Sequence, residues 1–226
     1  MLKNNFKRIV FNDYLSVLSI LIATLICDFM GYDMTVAHWF GTNTGFALQN
    51  NYLLKFVFHD VGQNTARLLF IVLIIMIWRP LGIFKSIYKI NRIQMVFSVL
   101  LTSTLIILIK HFSQISCPWS LSEFGGGVPY ISHWQWDINT PQSGHCFPGG
   151  HASSGFAFIA ASFWFRDYSL RLSRWVWWLS SLTGFIFGWT QQMRGAHFFS
   201  HTLWSWVICA SVGLIYFYIV QRKSTQ

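Results

Sequence analysis

Acid is scarce in this chain. Only seven of its 226 residues are Asp or Glu, and charged residues of both signs make up 10%, against about 25% in soluble domains. So little charge cannot cover a globular surface, which excludes an ordinary soluble protein and leaves lipid as the solvent. Proline is scarce as well, at five residues, and gathers with glycine around Phe124–Pro129. Internal repeats, linkers and low-complexity segments are absent. Of four cysteines, Cys27 and Cys209 sit in apolar runs as packing residues. Cys117 and Cys146 share one long polar segment. They form a disulfide if that segment faces an oxidising compartment, and are two free thiols otherwise.

Apolar residues dominate what is present, at 54%, with 19% aromatic. The net charge of +9 is spread between apolar runs and forms no basic stripe, which argues against nucleic acid and for anionic lipid headgroups. A spanning helix needs about 20 mostly apolar residues. Six candidates follow: Tyr14–Met30; Leu68–Trp78, with a start upstream near Leu53–Phe58; Ile93–Ile109; His151–Phe165; Trp175–Thr190; and Leu203–Val220. The basic start at Met1–Arg8 precedes a long run without a clear cleavage site, so the first span reads as uncleaved. The expectation is an all-α polytopic membrane protein, a single domain over 1–226, built as a six-helix transmembrane bundle.

Charge sets the orientation. With both termini cytoplasmic, twelve of the sixteen basic residues (Lys3, Lys7, Arg8, Arg79, Lys85, Lys89, Arg92, Arg166, Arg171, Arg174, Arg222, Lys223) lie inside, and Lys55, Arg67, Lys110 and Arg194 lie outside. Trp78, Trp164, Trp175, Trp177 and Trp178 fall near the inner interface. The segment Lys110–Gly150, the start of the fourth span and Arg194–His201 then share the outer face. The forty-residue outer loop holds Trp119, Trp134 and Trp136, poor residues for a tether, and is expected to fold as a cap over the site.

Two histidine-bearing stretches on that face carry the chemistry. Pro148-Gly149-Gly150-His151-Ala-Ser opens a helix whose first amides favour an anion and whose small residues allow close packing. Ser143-Gly-His145 is a rival imidazole with no apolar helix after it. Arg194-Gly-Ala-His197-Phe-Phe-Ser-His201 is read as helical, which puts Arg194 and His197 on one face and His197 and His201 on one face. Arg194 can grip phosphate, His197 can attack phosphorus, and His201 can hold its tautomer. His-x3-His is also a zinc spacing, but the outer loops offer few acids beside it: Asp60, Glu123 and Asp137. Interfacial histidines that merely wet a helix end are the bland alternative.

Lys110-x6-Cys117-Pro118, then Pro148-Gly-Gly-His151, then Gly195-Ala-His197-Phe-Phe-Ser-His201, together resemble the three-part signature of the type 2 phosphatidic acid phosphatase family, over roughly residues 50 to 220. That pattern is Lys-x6-Arg-Pro, Pro-Ser-Gly-His and Ser-Arg-x5-His-x3-Asp. The resemblance implies His197 as nucleophile, His151 as general acid, and phosphate held by Lys110, with Arg194, Gly149 and Gly150 beside it. It implies no metal and no cofactor. Here Cys117 replaces an Arg, Gly149 a Ser, Gln191 an Arg and His201 an Asp. Another register makes His201 the nucleophile. The expected activity is removal of phosphate from a lipid phosphate or diphosphate at the periplasmic face of a bacterial inner membrane, through a phosphohistidine. Phosphotransfer to a second lipid, and a non-enzymatic metal- or haem-binding carrier, are the alternatives.

Overall fold

The computed structural model describes residues 2–135 and 144–224, and side chains outside 1–12, 59 and 222–226. Trp136, Asp137 and Ser143, and the side chains of Lys3, Lys7, Arg8, Arg222 and Lys223, lie outside the described residues. Among the described residues eight α-helices make the body: α1 (Leu2–Phe29), α2 (Tyr32–His38), α3 (Gly62–Trp78), α4 (Lys89–Phe112), α5 (Gly150–Phe156), α6 (Ile159–Phe165), α7 (Leu170–Met193) and α8 (Phe199–Ser224). A π-helical stretch, Leu54–Val61, leads into α3. A two-residue hairpin pairs β1 (Gly41–Thr42) with β2 (Gly45–Phe46).

The helix breaks follow from local chemistry. Gly31 adopts φ 67° between α1 and α2, a left-handed conformation that costs glycine little, and the two helices bend there by 75°. Pro80 follows the end of α3, where it cannot continue the helix. Ser169 caps α7, its hydroxyl accepting from the Leu172 amide at 3.2 Å.

The peripheral helices turn apolar side chains outward. Leu15, Leu18, Ile22 and Ile26 of α1 are exposed, as are Leu68, Ile71, Val72 and Ile75 of α3 and Ile93, Phe97, Leu100 and Ile107 of α4. Their spacing follows the helical period, so the outward stripe is apolar where a soluble protein would be polar. Leu54–Ser86, Lys89–Phe112 and Phe199–Gln221 are long and apolar enough to cross a membrane. The bent pair Asp13–Phe29 with Tyr32–His38 makes a fourth candidate, an arrangement that fits an integral membrane protein. The expected span His151–Phe165 differs: it is two seven-residue helices, and every residue of α6 is buried. It runs through the middle of the bundle rather than along lipid.

Close packing around this central helix depends on small residues. A Cβ on Gly155 of α5 would lie 2.5 Å from the Gly184 amide nitrogen of α7, and one on Gly213 of α8 would lie 2.7 Å from the Ala160 Cβ of α6. The core joins Met95, Val99 and Ile106 of α4 with Phe156, Phe163 and Trp164, and with Trp206, Leu214 and Phe217 of α8. A second cluster, Ala37, Phe46, Leu121, Phe124 and Phe198, packs the α4–α5 segment against α2 and the hairpin at one end of the bundle.

Candidate active site

Lys110 lies in the last turn of α4. Its side chain runs beside Gly150 at the start of α5, where a Cβ would meet Lys110 Cδ at 3.5 Å and Nζ at 3.9 Å. Glycine there keeps the ammonium's neighbourhood open. Lys110, Gly150, His151, Ser153 and Ser154 line one cavity of about 470 Å³. The His151 ring centroid is 6.2 Å from that of His197, and His197 is 6.0 Å from His201. Lys110, His151 and His197, from three distant stretches of sequence, therefore meet.

The backbone that carries His197 is not a helix, contrary to the helical reading. Helix α7 ends at Met193. Gly195, at φ 74°, donates to the Gln192 carbonyl at 2.9 Å, and Ala196 donates to the Gln191 carbonyl at 2.8 Å. This is a Schellman termination. His197 then sits in the short connection before α8 starts at Phe199.

Arg194 follows from that termination. It is buried; its Nε donates to the Gln49 carbonyl at 3.0 Å and its Nη1 to Gln191 Oε1 at 3.1 Å. Its guanidinium thus braces the α7 end against the chain before α3, and it does not line the cavity that holds Lys110. Gln191, at the position of the signature's Arg, is the acceptor.

His197 Nδ1 lies 2.8 Å from the Cys146 carbonyl oxygen. A carbonyl only accepts, so Nδ1 carries the proton and Nε2 the lone pair. The group that fixes the tautomer is this backbone oxygen rather than His201. His201 is buried at 1% exposure among the rings of His133, Phe147 and Phe198. Burial, and then the nearby charge of Lys110, hold the His197 imidazole well below the ordinary histidine range. The ring is therefore neutral, with its lone pair on Nε2.

Three ties hold the Cys146 carbonyl in place. Cys146 is joined to Cys117 by a disulfide, with Cα atoms 5.2 Å apart. Its amide donates to the Ile115 carbonyl at 2.9 Å, and His145 N donates to the Ser113 carbonyl at 2.9 Å. The loops after Lys110 and before His151 are thereby laced together. Trp119 N adds a bond to the Gly195 carbonyl at 2.9 Å. His145 itself turns to the Lys110 carbonyl, Nδ1 to oxygen 3.0 Å, and lies outside the cavity lining. The Gly149 amide donates to the His201 carbonyl at 3.1 Å, so it is engaged with α8 and not turned to an anion. A Cβ at 149, where the signature has Ser, would lie 3.3 Å from that same oxygen, a close contact.

Arg67 escaped the sequence reading as a site residue. It lines the same cavity as Lys110 and His151, with its guanidinium steadied by Asn64 Oδ1 at 2.8 Å. Its place at one end of the second apolar run, like that of Lys110 at the end of the third, was the available signal. The Cys146 carbonyl offered none, being a backbone atom.

A model of the PAP2 superfamily, a group of phosphatases acting on phosphate esters, matches residues 92–225. No curated protein and no solved structure matches the chain. The match spans Lys110, His151 and His197, the three side chains whose convergence the coordinates display, and covers more than half of the sequence: the chain belongs to the PAP2 superfamily of phosphatases.

Proposed function

We propose that the protein is an integral-membrane phosphatase that removes phosphate from a lipid phosphate or diphosphate at the periplasmic face, through a phosphohistidine. The observation that carries this reading is the pairing of a neutral His197, held by the Cys146 carbonyl, with His151 and Lys110 beside it. Lys110 neutralises charge on a phosphate oxygen above Gly150. His197 Nε2 attacks phosphorus in line, the P–O bond to the lipid breaks, and His151 gives its proton to the departing alkoxide. Water then attacks the phosphohistidine. His151 takes the proton from that water, and inorganic phosphate leaves with His197 neutral again. His201, enclosed by aromatic rings, supports the wall behind His197 and is a poorer nucleophile for lack of access.

The cavity supports a lipid substrate. Beyond its polar end it is lined by Phe70, Val99, Leu100, Ile106 and Ile107, contributed by α3 and α4. An apolar chain fits there while the phosphate meets Lys110. The six-span layout belongs to the same reading. Helix α7, at 24 residues, is about 36 Å long, enough to cross, and presents Trp178, Leu182 and Ile186 outward. The central α5–α6 path is shielded from lipid and needs no apolar exterior.

The test is His197→Ala, assayed in detergent against a panel of lipid phosphates. Phosphate release is expected to vanish while the protein still inserts and folds. In wild type, acid-labile phosphate on histidine is expected after a rapid quench. Undiminished release from the variant would refute the mechanism.

A further inference from the structure

A second cluster of ionisable groups lies behind the catalytic histidines. Asp28 comes from the last turn of α1, Asp33 from the first turn of α2, and His133 from the α4–α5 segment. The bend at Gly31 sets the two carboxylates on either side of one corner. One ligand atom from each of the three residues lies within 4.8 Å of the other two. The cluster is buried: the Asp28 and His133 side chains are 2% and 6% exposed, and Asp33 is 5% exposed.

The charge in this corner is not balanced by the protein. Among the described residues no lysine or arginine pairs with either carboxylate, and His133 supplies at most one positive charge. Asp28 Oδ2 accepts from His133 Nε2 at 3.1 Å, Trp204 Nε1 at 2.8 Å and Trp134 Nε1 at 3.3 Å. Asp28 Oδ1 is buried with no hydrogen-bond partner, and a buried carboxylate oxygen left this way is costly. Asp33 takes the Ser200 amide on one oxygen and the Ser200 hydroxyl on the other. That anchors the start of α8 and leaves each oxygen a further lone pair.

We propose that Asp28, Asp33 and His133 bind one divalent first-row transition ion, with zinc the best match to the donor set. Two carboxylates and an imidazole are a borderline set that suits zinc, whereas calcium and magnesium demand oxygen ligands alone. On binding, the proton shared between His133 Nε2 and Asp28 Oδ2 leaves to solvent. Both atoms become ligands, and the two carboxylate charges cancel the ion's. Three protein ligands leave one position for water. The ion fastens the α4–α5 segment to the α1–α2 corner. His133 stacks on Phe147 at 4.6 Å, next in sequence to the Cys146 carbonyl, and faces His201 at 5.9 Å, so the fastening reaches the wall behind His197. It holds whether or not the protein is a lipid phosphatase.

The test is metal content and uptake in the full-length protein in detergent. After chelation and removal of the chelator, Zn2+ is expected to bind at one equivalent per chain and to raise the melting temperature. Co2+ is expected to give a visible absorption band. Asp33→Asn and His133→Gln each lose the equivalent; a double His151→Gln/His197→Gln variant keeps it. If wild type takes up neither ion above background, the corner is a bare ion pair and the proposal fails. Loss in the double variant would place the ion on the catalytic histidines and also overturn it. Should the Asp33 and His133 variants not fold, wild-type stoichiometry and the Co2+ band decide alone.

Discussion

His197 is held by a carbonyl, not by a carboxylate: its Nδ1 lies 2.8 Å from the backbone oxygen of Cys146, which the disulfide to Cys117 ties to the loop after Lys110. A backbone acceptor fixes the tautomer as an Asp would but brings no full negative charge. The bond favours the protonated ring, but burial and the charge of Lys110 outweigh it, and the proton affinity stays low. Orientation now depends on the loop that presents the oxygen.

We therefore expect the paired change Cys117→Ser and Cys146→Ser to act on both stability and turnover. For a sequence separation of 29 the chain-entropy account gives a loss of about 3–4 kcal/mol, read by chemical unfolding in detergent. Turnover should fall by more than KM rises, because the substrate contacts at Lys110 remain while the nucleophile loses its orientation. Unchanged kcat in a folded variant would show that the other two ties suffice.

The pH profile follows from the neutral ring. Protonated His197 cannot attack, so activity falls as pH drops through its pKa. That pKa lies well below the ordinary histidine value of 6.5, so the acid limb of kcat/KM should appear below that value. Burial is the larger cause and Lys110 the next. Lys110→Met should then lower kcat on the order of 10²-fold, as loss of a charge-stabilising donor does. The residual activity should show an acid limb moved upward, part of the way back. A limb that stays put or moves down would mean that Lys110 does not face His197.

Much of this architecture was readable because lipid imposes a simple rule. Continuous apolar runs as at Ile93–Ile109 and Leu203–Val220 become helices, which satisfy every backbone group within the segment, whereas barrel strands would alternate polar and apolar residues. That Lys110, His151 and His197 come together was legible because such side chains at the ends of apolar runs have few structural uses. Arg194 reads from sequence as an anion ligand because its guanidinium stands near histidines; in the structure Gly195 ends the helix and the guanidinium turns to Gln49 and Gln191. The α1–α2 corner was invisible because His133 lies about a hundred residues from Asp28 and Asp33, with no spacing to link them. The central helix's enclosure was hidden as well: its burial comes from neighbours on every side, which no local pattern records.

The apolar reach of the cavity gives a further expectation. Ala66 of α3 lies in its lining, so Ala66→Phe should obstruct a lipid chain while leaving the polar end intact. KM for a long-chain lipid phosphate should rise by roughly 10-fold or more, the scale on which apolar pockets discriminate. Hydrolysis of a short, water-soluble phosphate ester should hardly change. Equal losses on both substrates would mean that the chain enters elsewhere.

The crossing of α5 with α7 should tolerate little added bulk. A Cβ at Gly155 would fall 2.5 Å from the Gly184 nitrogen and 2.8 Å from its Cα. Both are backbone atoms, which cannot swing aside as a side-chain tip can. Gly155→Ala must therefore push the two helices apart, at a cost of about 1–3 kcal/mol. His151 lies one turn before Gly155 on the same helix, so separation also moves the proposed general acid away from His197. A lowered melting temperature together with reduced turnover is expected. Gly127→Ala is the control: a Cβ there meets nothing within 4 Å, and both quantities should match wild type. A Gly155→Ala protein that is as stable and active as the control would show that the helices approach less closely than the coordinates place them.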